Sequence, residues 1–121
     1  PIMSYGIRVT SLERTVIDCI DRIDRCGGSE EMLQCFGMIM HISEAKLMEV
    51  LASYDKATLY KKAGFILSRF RDRFNLSDDF FQICRERANV GSKVLTSYED
   101  CTEYDREWNL SYPDTFNSFD Y

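Results

Sequence analysis

The chain has 121 residues, of which 45% are hydrophobic and 29% charged, and its formal net charge is −5. That length builds one domain with a moderate core, the acidity argues against a general nucleic-acid binder, and no apolar run reaches the roughly 18 residues of a membrane helix. The first residues do not resemble a signal peptide. A single histidine excludes a histidine-rich metal site. Five cysteines (Cys19, Cys26, Cys35, Cys84, Cys101) show no C-x-x-C spacing, which favours reduced cytoplasmic thiols over a disulfide framework or a thiolate zinc site.

In chain order, residues 7–10, IRVT, read as a short extended lead. Thr10 and Glu13 then form a T-x-x-E capping box, and Leu12, Val16, Ile20 and Ile23 place one apolar face on a helix over 11–24. Gly27 and Gly28 stop it, since glycine takes the left-handed conformation that ends helices. A second helix starts at Ser29, with Glu30 and Glu31 against the positive end of its dipole. It buries Met32, Leu33, Phe36, Ile39 and Met40. A third, capped by Ser43, carries Leu47, Val50, Leu51 and Tyr54 at helical spacing. The longest helix is predicted over 56–74, burying Leu59, Ala63, Ile66, Leu67, Phe70 and Phe74. A fifth opens at Ser77 with Asp78 and Asp79, turns Phe80, Phe81 and Cys84 inward, and ends at Asn89 and Gly91. KVLTSY, residues 93–98, is the other strand candidate. The expected fold is mainly α: a compact multi-helix domain, 1–121, with a few short strands near the ends.

Charge divides unevenly along this order. Residues 56–74 hold six bases (Lys56, Lys61, Lys62, Arg69, Arg71, Arg73) against Asp72, whereas residues 99–121 hold seven acids against Arg106. The basic residues are expected to share the open face of the long helix. Lys61, Lys62, Arg69 and Arg73 are the candidate partner-binding residues, and the acidic tail is expected to lie against them. A solvated face is the plain alternative. A nucleic-acid-binding accessory module is another, with Lys61, Lys62, Arg69, Arg71 and Arg73 on phosphates and a steep salt dependence.

No catalytic set emerges. Glu13, Arg14 and Asp18 share a helix, but Arg14 and Asp18 at four-residue spacing make a surface ion pair. Gly27-Gly28 lacks the glycine frame or the following Lys-Ser/Thr of a phosphate loop and reads as a tight helix corner. His41 has no ligand or carboxylate at useful spacing. No convergent nucleophile, base or metal set is present, so no enzyme, cofactor or metal is expected.

The stretch VTSLERTVIDCIDRIDRCGGSEE, residues 9–31, resembles the segment that opens the C-terminal helical region of AbiEi-family antitoxins of bacterial type IV, abortive-infection toxin–antitoxin systems. Val9, Ser11, Glu13, Arg14, Thr15, Asp18, Gly27, Gly28 and Glu31 carry the likeness. LYKKAGFIL resembles a second block through Lys61, Lys62, Gly64, Phe65 and Leu67, with Lys62 and Ala63 where the family usually has arginine and leucine. YDREWNL, with Asp105, Trp108 and Leu110, resembles the closing block. The likeness spans about residues 6–112. It implies a non-catalytic, cytoplasmic phage-defence protein that counters a nucleotidyltransferase-like toxin and takes no cofactor. It also implies that the full-length protein represses its own operon, binding operator DNA through a winged helix that precedes this region. The chain is expected to be the antitoxin domain without that half, with no membrane contact and with self-association as a further expectation.

Overall fold

The computed structural model describes residues 11–88 and 94–121. Among these, 60% are helical and the one sheet has two strands, so the fold is mainly α as expected. The residue 7–10 lead, Thr10, Lys93 and the stop at Asn89 and Gly91 lie outside the described residues.

α1 spans Leu12–Asp21. Ser11 caps it, its Oγ accepting from the Arg14 N–H at 3.2 Å. Glu13 does not serve the cap. It is buried, and its carboxylate accepts from the Ser43 N–H at 2.8 Å, fixing the start of the third helix against the first. The first helix also stops earlier than expected, and a 3₁₀ turn over Ile23–Cys26 follows. Gly27 (φ 85°) closes that turn in the left-handed region, and Gly28 (φ 95°, ψ 178°) opens α2, Ser29–Gly37. Gly28 sits in a region that only glycine occupies comfortably. The Ser29 N–H and hydroxyl both donate to the Glu99 carboxylate, at 2.9 and 2.8 Å. A tail residue thus satisfies a free donor at the helix start.

Met32, Leu33 and Phe36 of α2 are buried, but the helix ends before the expected stripe does. Ile39 is half-buried, and Met40, 90% exposed, lies in the connection to α3. α3, Glu44–Tyr54, is capped by Ser43 as expected and buries Leu47 and Leu51.

The predicted 56–74 helix is two. α4 spans Ala57–Ser68 and α5 spans Arg71–Phe74. The break tightens through the Arg69 and Phe70 N–H groups, which donate to the carbonyls three residues back, while the Ser68 hydroxyl takes the Phe65 carbonyl. This turn sends Phe70 into a cluster with Phe36, Phe74, Phe119 and Tyr121. α6, Asp78–Arg87, capped by Ser77, buries Phe80, Phe81 and Cys84.

The 93–98 segment forms no strand within its described part. Val94 makes a single parallel bridge to Ser111. β1 (Glu103–Asp105) and β2 (Leu110–Tyr112) pair antiparallel, Tyr104 facing Ser111, and α7 (Thr115–Ser118) follows.

α4 is the axis of the molecule. Leu59, Tyr60, Lys61, Ala63, Gly64, Phe65, Ile66 and Leu67 are all buried, so it has almost no solvent face. α6 and α1 pack on it, α3 packs on α1, and the C-terminal hairpin closes the remaining side. There the Trp108 indole lies where a Cβ on residue 64 would be. Phe65 meets Tyr112 and Phe116 at ring separations of 4.8 and 5.5 Å.

Two outcomes follow from these glycines. Gly64→Ala should cost about 1–3 kcal/mol through overpacking, and Trp108→Phe in the same chain should recover part of it, read as denaturation midpoints. At the corner, Gly27→Asn should cost about 1 kcal/mol, because asparagine accepts the left-handed region but its Cβ requires the exposed Glu31 side chain to swing aside. Gly28→Asn should cost about 1–3 kcal/mol.

Candidate functional site

The four cations expected to share an open face do not. Lys61 is 5% exposed, held within the buried girth of α4. Lys62 is half-buried at a 130 Å³ cleft that Arg22, Asp24 and Thr96 also border. Burial pulls its amine below the ordinary lysine range; Asp21 opposes that shift and Lys56 adds to it. The Arg69 guanidinium lies over the rings of Phe65, Tyr112, Phe116 and Tyr121, at 5.1, 5.2, 5.9 and 5.7 Å from their centres. It also donates to the Phe116 carbonyl at 3.3 Å and to Asn117 Oδ1 at 3.4 Å. Arg73 is exposed and donates to the Gly37 carbonyl, while Arg71 pairs with Asp78 and lies over Phe81.

The tail therefore does return to α4, but it meets Arg69 with ring faces and a carbonyl rather than with carboxylates. A guanidinium is weakly hydrated and planar, so it stacks where an ammonium would not. Tyr121 completes the cage, its hydroxyl donating to the same Phe116 carbonyl at 2.6 Å. Burial raises the Tyr121 pKa, and Arg69 partly offsets that.

Most positions that carry the family likeness have internal work. Ser11 caps α1, Glu13 binds the start of α3, Gly27 and Gly28 make the corner, the Glu31 side chain lies over Gly27, and Gly64 admits Trp108. Arg14, Thr15 and Asp18 are different: all three are exposed on α1. The expected Arg14–Asp18 ion pair is replaced by a longer reach, Arg14 donating to the Tyr54 hydroxyl at 3.3 Å with its guanidinium 5.4 Å from the ring centre. Thr15, Asp18 and Tyr54 border a groove of 450 Å³ that runs on to Arg22 and Arg25. Asp21, at its edge, pairs with Lys56 at 3.2 Å.

The same groove holds a disulfide. Cys19 and Cys26 are joined, with their Cα atoms 5.6 Å apart, so the expectation of five reduced thiols does not hold. Seven residues along a straight helix span about 10 Å, too far for a bridge; the turn that ends α1 early brings the two together. The only hint in the sequence is that positions seven apart lie on one side of a helix. Of the other cysteines, Cys35 is exposed, Cys101 half-buried and Cys84 buried, its thiol pushed up to about 12 by desolvation with Arg85 in partial opposition.

His41 is exposed on the α2–α3 connection, and among the described residues no group of His, Cys, Asp or Glu stands close enough to hold a metal ion. No described helix is long and apolar enough to cross a membrane. Comparison of the chain with models of known protein families, with curated proteins and with solved structures finds no match.

Arg69→Ala leaves four ring faces and a carbonyl without their cation. It should lower stability by about 1–3 kcal/mol, seen in the denaturation midpoint, with limited proteolysis cutting first between residues 113 and 121. Arg73→Glu, at an exposed site, should move the midpoint by less than about 0.5 kcal/mol.

Proposed function

We propose that this chain is a non-catalytic, cytoplasmic antitoxin domain of the AbiEi type. It opposes a nucleotidyltransferase-like toxin through the α1 groove rather than through the basic residues of α4 and α5. The reading rests on the resemblance of residues 9–31, 59–67 and 104–110 to that family's blocks. One observation supports the α1 groove as the contact surface. Ser11, Glu13, Gly27, Gly28, Gly64 and Trp108 are spent inside the fold, whereas Arg14, Thr15, Asp18 and Glu31 are exposed, the first three together on α1 beside Tyr54.

Exposed charged and aromatic groups of this kind set partner orientation and encounter rate more than they set stability. Operator binding and repression belong, in this reading, to a winged helix of the full-length protein. The nucleic-acid alternative draws less support, because Lys61 and Arg69 are engaged inside the fold and Arg71 is paired.

The test is growth rescue in cells expressing a nucleotidyltransferase-like toxin, taken from the gene that adjoins this one where that gene encodes such a protein. Arg14→Glu with Asp18→Arg should abolish rescue while changing stability by less than about 0.5 kcal/mol, as surface changes usually do. Full rescue by that folded double variant would exclude the groove as the contact surface. Failure of the unaltered chain to protect would exclude the antitoxin reading itself.

A further inference from the structure

We infer that the Cys19–Cys26 disulfide is an exchange site for a small thiol carrying two carboxylates and one ammonium, the glutathione class, seated in the α1 groove. The inference shares the groove and Asp18 with the antitoxin reading but does not require it. Three observations carry it.

The first is access. Both cysteines are half-buried rather than enclosed, and both line the 450 Å³ groove, a volume within the roughly 300–1,000 Å³ of small-molecule sites. A buried structural bridge would offer no sulfur to an incoming thiolate. The second is charge. Arg22 and Arg25 border the groove, and among the described residues neither side chain has a hydrogen-bond or ion-pair partner. Asp21 is paired with Lys56, which offsets part of its charge. The lining therefore presents two free guanidinium groups and one free carboxylate, Asp18, which match two carboxylates and one ammonium on the ligand. Guanidinium takes carboxylate in bidentate fashion, which orients the thiol as well as attracting it.

The third is mechanical. The bridge ties the end of α1 to the 3₁₀ turn whose last residue precedes Gly27 and Gly28. Breaking it releases that turn from α1 while the other clamp on the corner, Glu99 on Ser29, stays in place. Reduction is thus tolerated by the fold and felt at the groove.

The chemistry balances in two steps. A thiolate of the small thiol attacks one sulfur of the bridge; a protein–ligand S–S bond forms, the Cys19–Cys26 bond breaks, and the departing cysteine leaves as a thiolate that takes a proton from water. A second small thiolate attacks the ligand sulfur of the mixed disulfide, forming the small-molecule disulfide and releasing the second cysteine. The protein gains two electrons and two protons, and two small thiols are oxidised.

The experiment uses the purified chain in buffers of reduced and oxidised glutathione, quenched by acid, alkylated and read by peptide-resolved mass spectrometry, which separates the bridge from Cys35 and Cys101. The bridge should interconvert with the dithiol across the buffer series, with a mixed disulfide trapped on Cys19 or Cys26. Arg22→Ser with Arg25→Ser should slow exchange with glutathione by about tenfold and slow exchange with 2-mercaptoethanol, whose attacking thiolate carries no carboxylate, by no more than about twofold. Raised salt should erase the difference. Equal slowing with both thiols, or no slowing, overturns the site. So does a chain in which Cys19 and Cys26 alkylate freely under oxidising buffer, or one whose bridge ignores glutathione throughout.

Discussion

α4 can lie against the C-terminal hairpin only because residue 64 has no side chain: the Trp108 indole occupies the space a Cβ would need. Nearly every other feature follows from enclosing that helix. A helix buried around almost its whole girth needs neighbours on all sides, and α1 and α6 cover only part of it. The rest is closed by chain more than 40 residues away, through Trp108 on Gly64, through Tyr112 and Phe116 on Phe65, and through the cage around Arg69. The tail, which composition marks as acidic and which is expected to meet the bases through its carboxylates, is structurally a jacket. Trp108, Tyr112 and Phe116 turn inward while Tyr104 stays exposed, and Glu99 is spent on the start of α2.

This explains where the residue pattern was legible and where it was not. Caps and apolar spacing are local properties, so Ser43 and Ser77, the glycine corner, the α6 stripe and most of the α1 and α3 stripes could be read directly, although Leu12 is exposed and Val50 and Tyr54 are half-buried. The failures share one cause: each depends on a contact distant in sequence. The 56–74 pattern reads as one helix because nothing local shows that Arg69 is gripped by residues 112–121, where the helix breaks. Lys61 reads as surface because a lysine is rarely enclosed, and what encloses it is the packing around α4. Glu13 fits a capping box by spacing, yet the Ser43 N–H, 30 residues on, takes its carboxylate.

Charge was the most misleading guide for the same reason. Six bases in 19 residues suggest an interaction strip, but a cation on a helix can be stacked, buried or paired, and here Arg69, Lys61 and Arg71 are each one of these. Arg22 and Arg25, two of the open cations among the described residues, belong to a short stretch whose bases and acids alternate, where net charge gives no signal. What distinguishes them is geometry: α1 ends early, the chain tightens into a 3₁₀ turn, and both line one groove with a disulfide.

The groove and the jacket lie at different places on the molecule, yet one seam joins them. Asp21 and Arg22 border both the large groove and the smaller cleft at Lys62, and Asp21 also pairs with Lys56, the residue that precedes α4. The end of α1 is therefore fixed by three things: the bridge to Cys26, the ion pair to Lys56 and the packing on α4. Of these, the ion pair is partly exposed and weak, and the packing is shared along the whole helix. The 3₁₀ turn is held as well by buried Ile23 and by the Gly28 N–H on the Ile23 carbonyl, and the covalent tie is the one of these that a thiol can open. A change in its state acts first on Arg22 and Arg25, which the turn and its approach carry, and only through Asp21 on α4. The surface proposed to meet a partner is thus supported by a bond that chemistry can open, while the core around Gly64 and Trp108 remains closed.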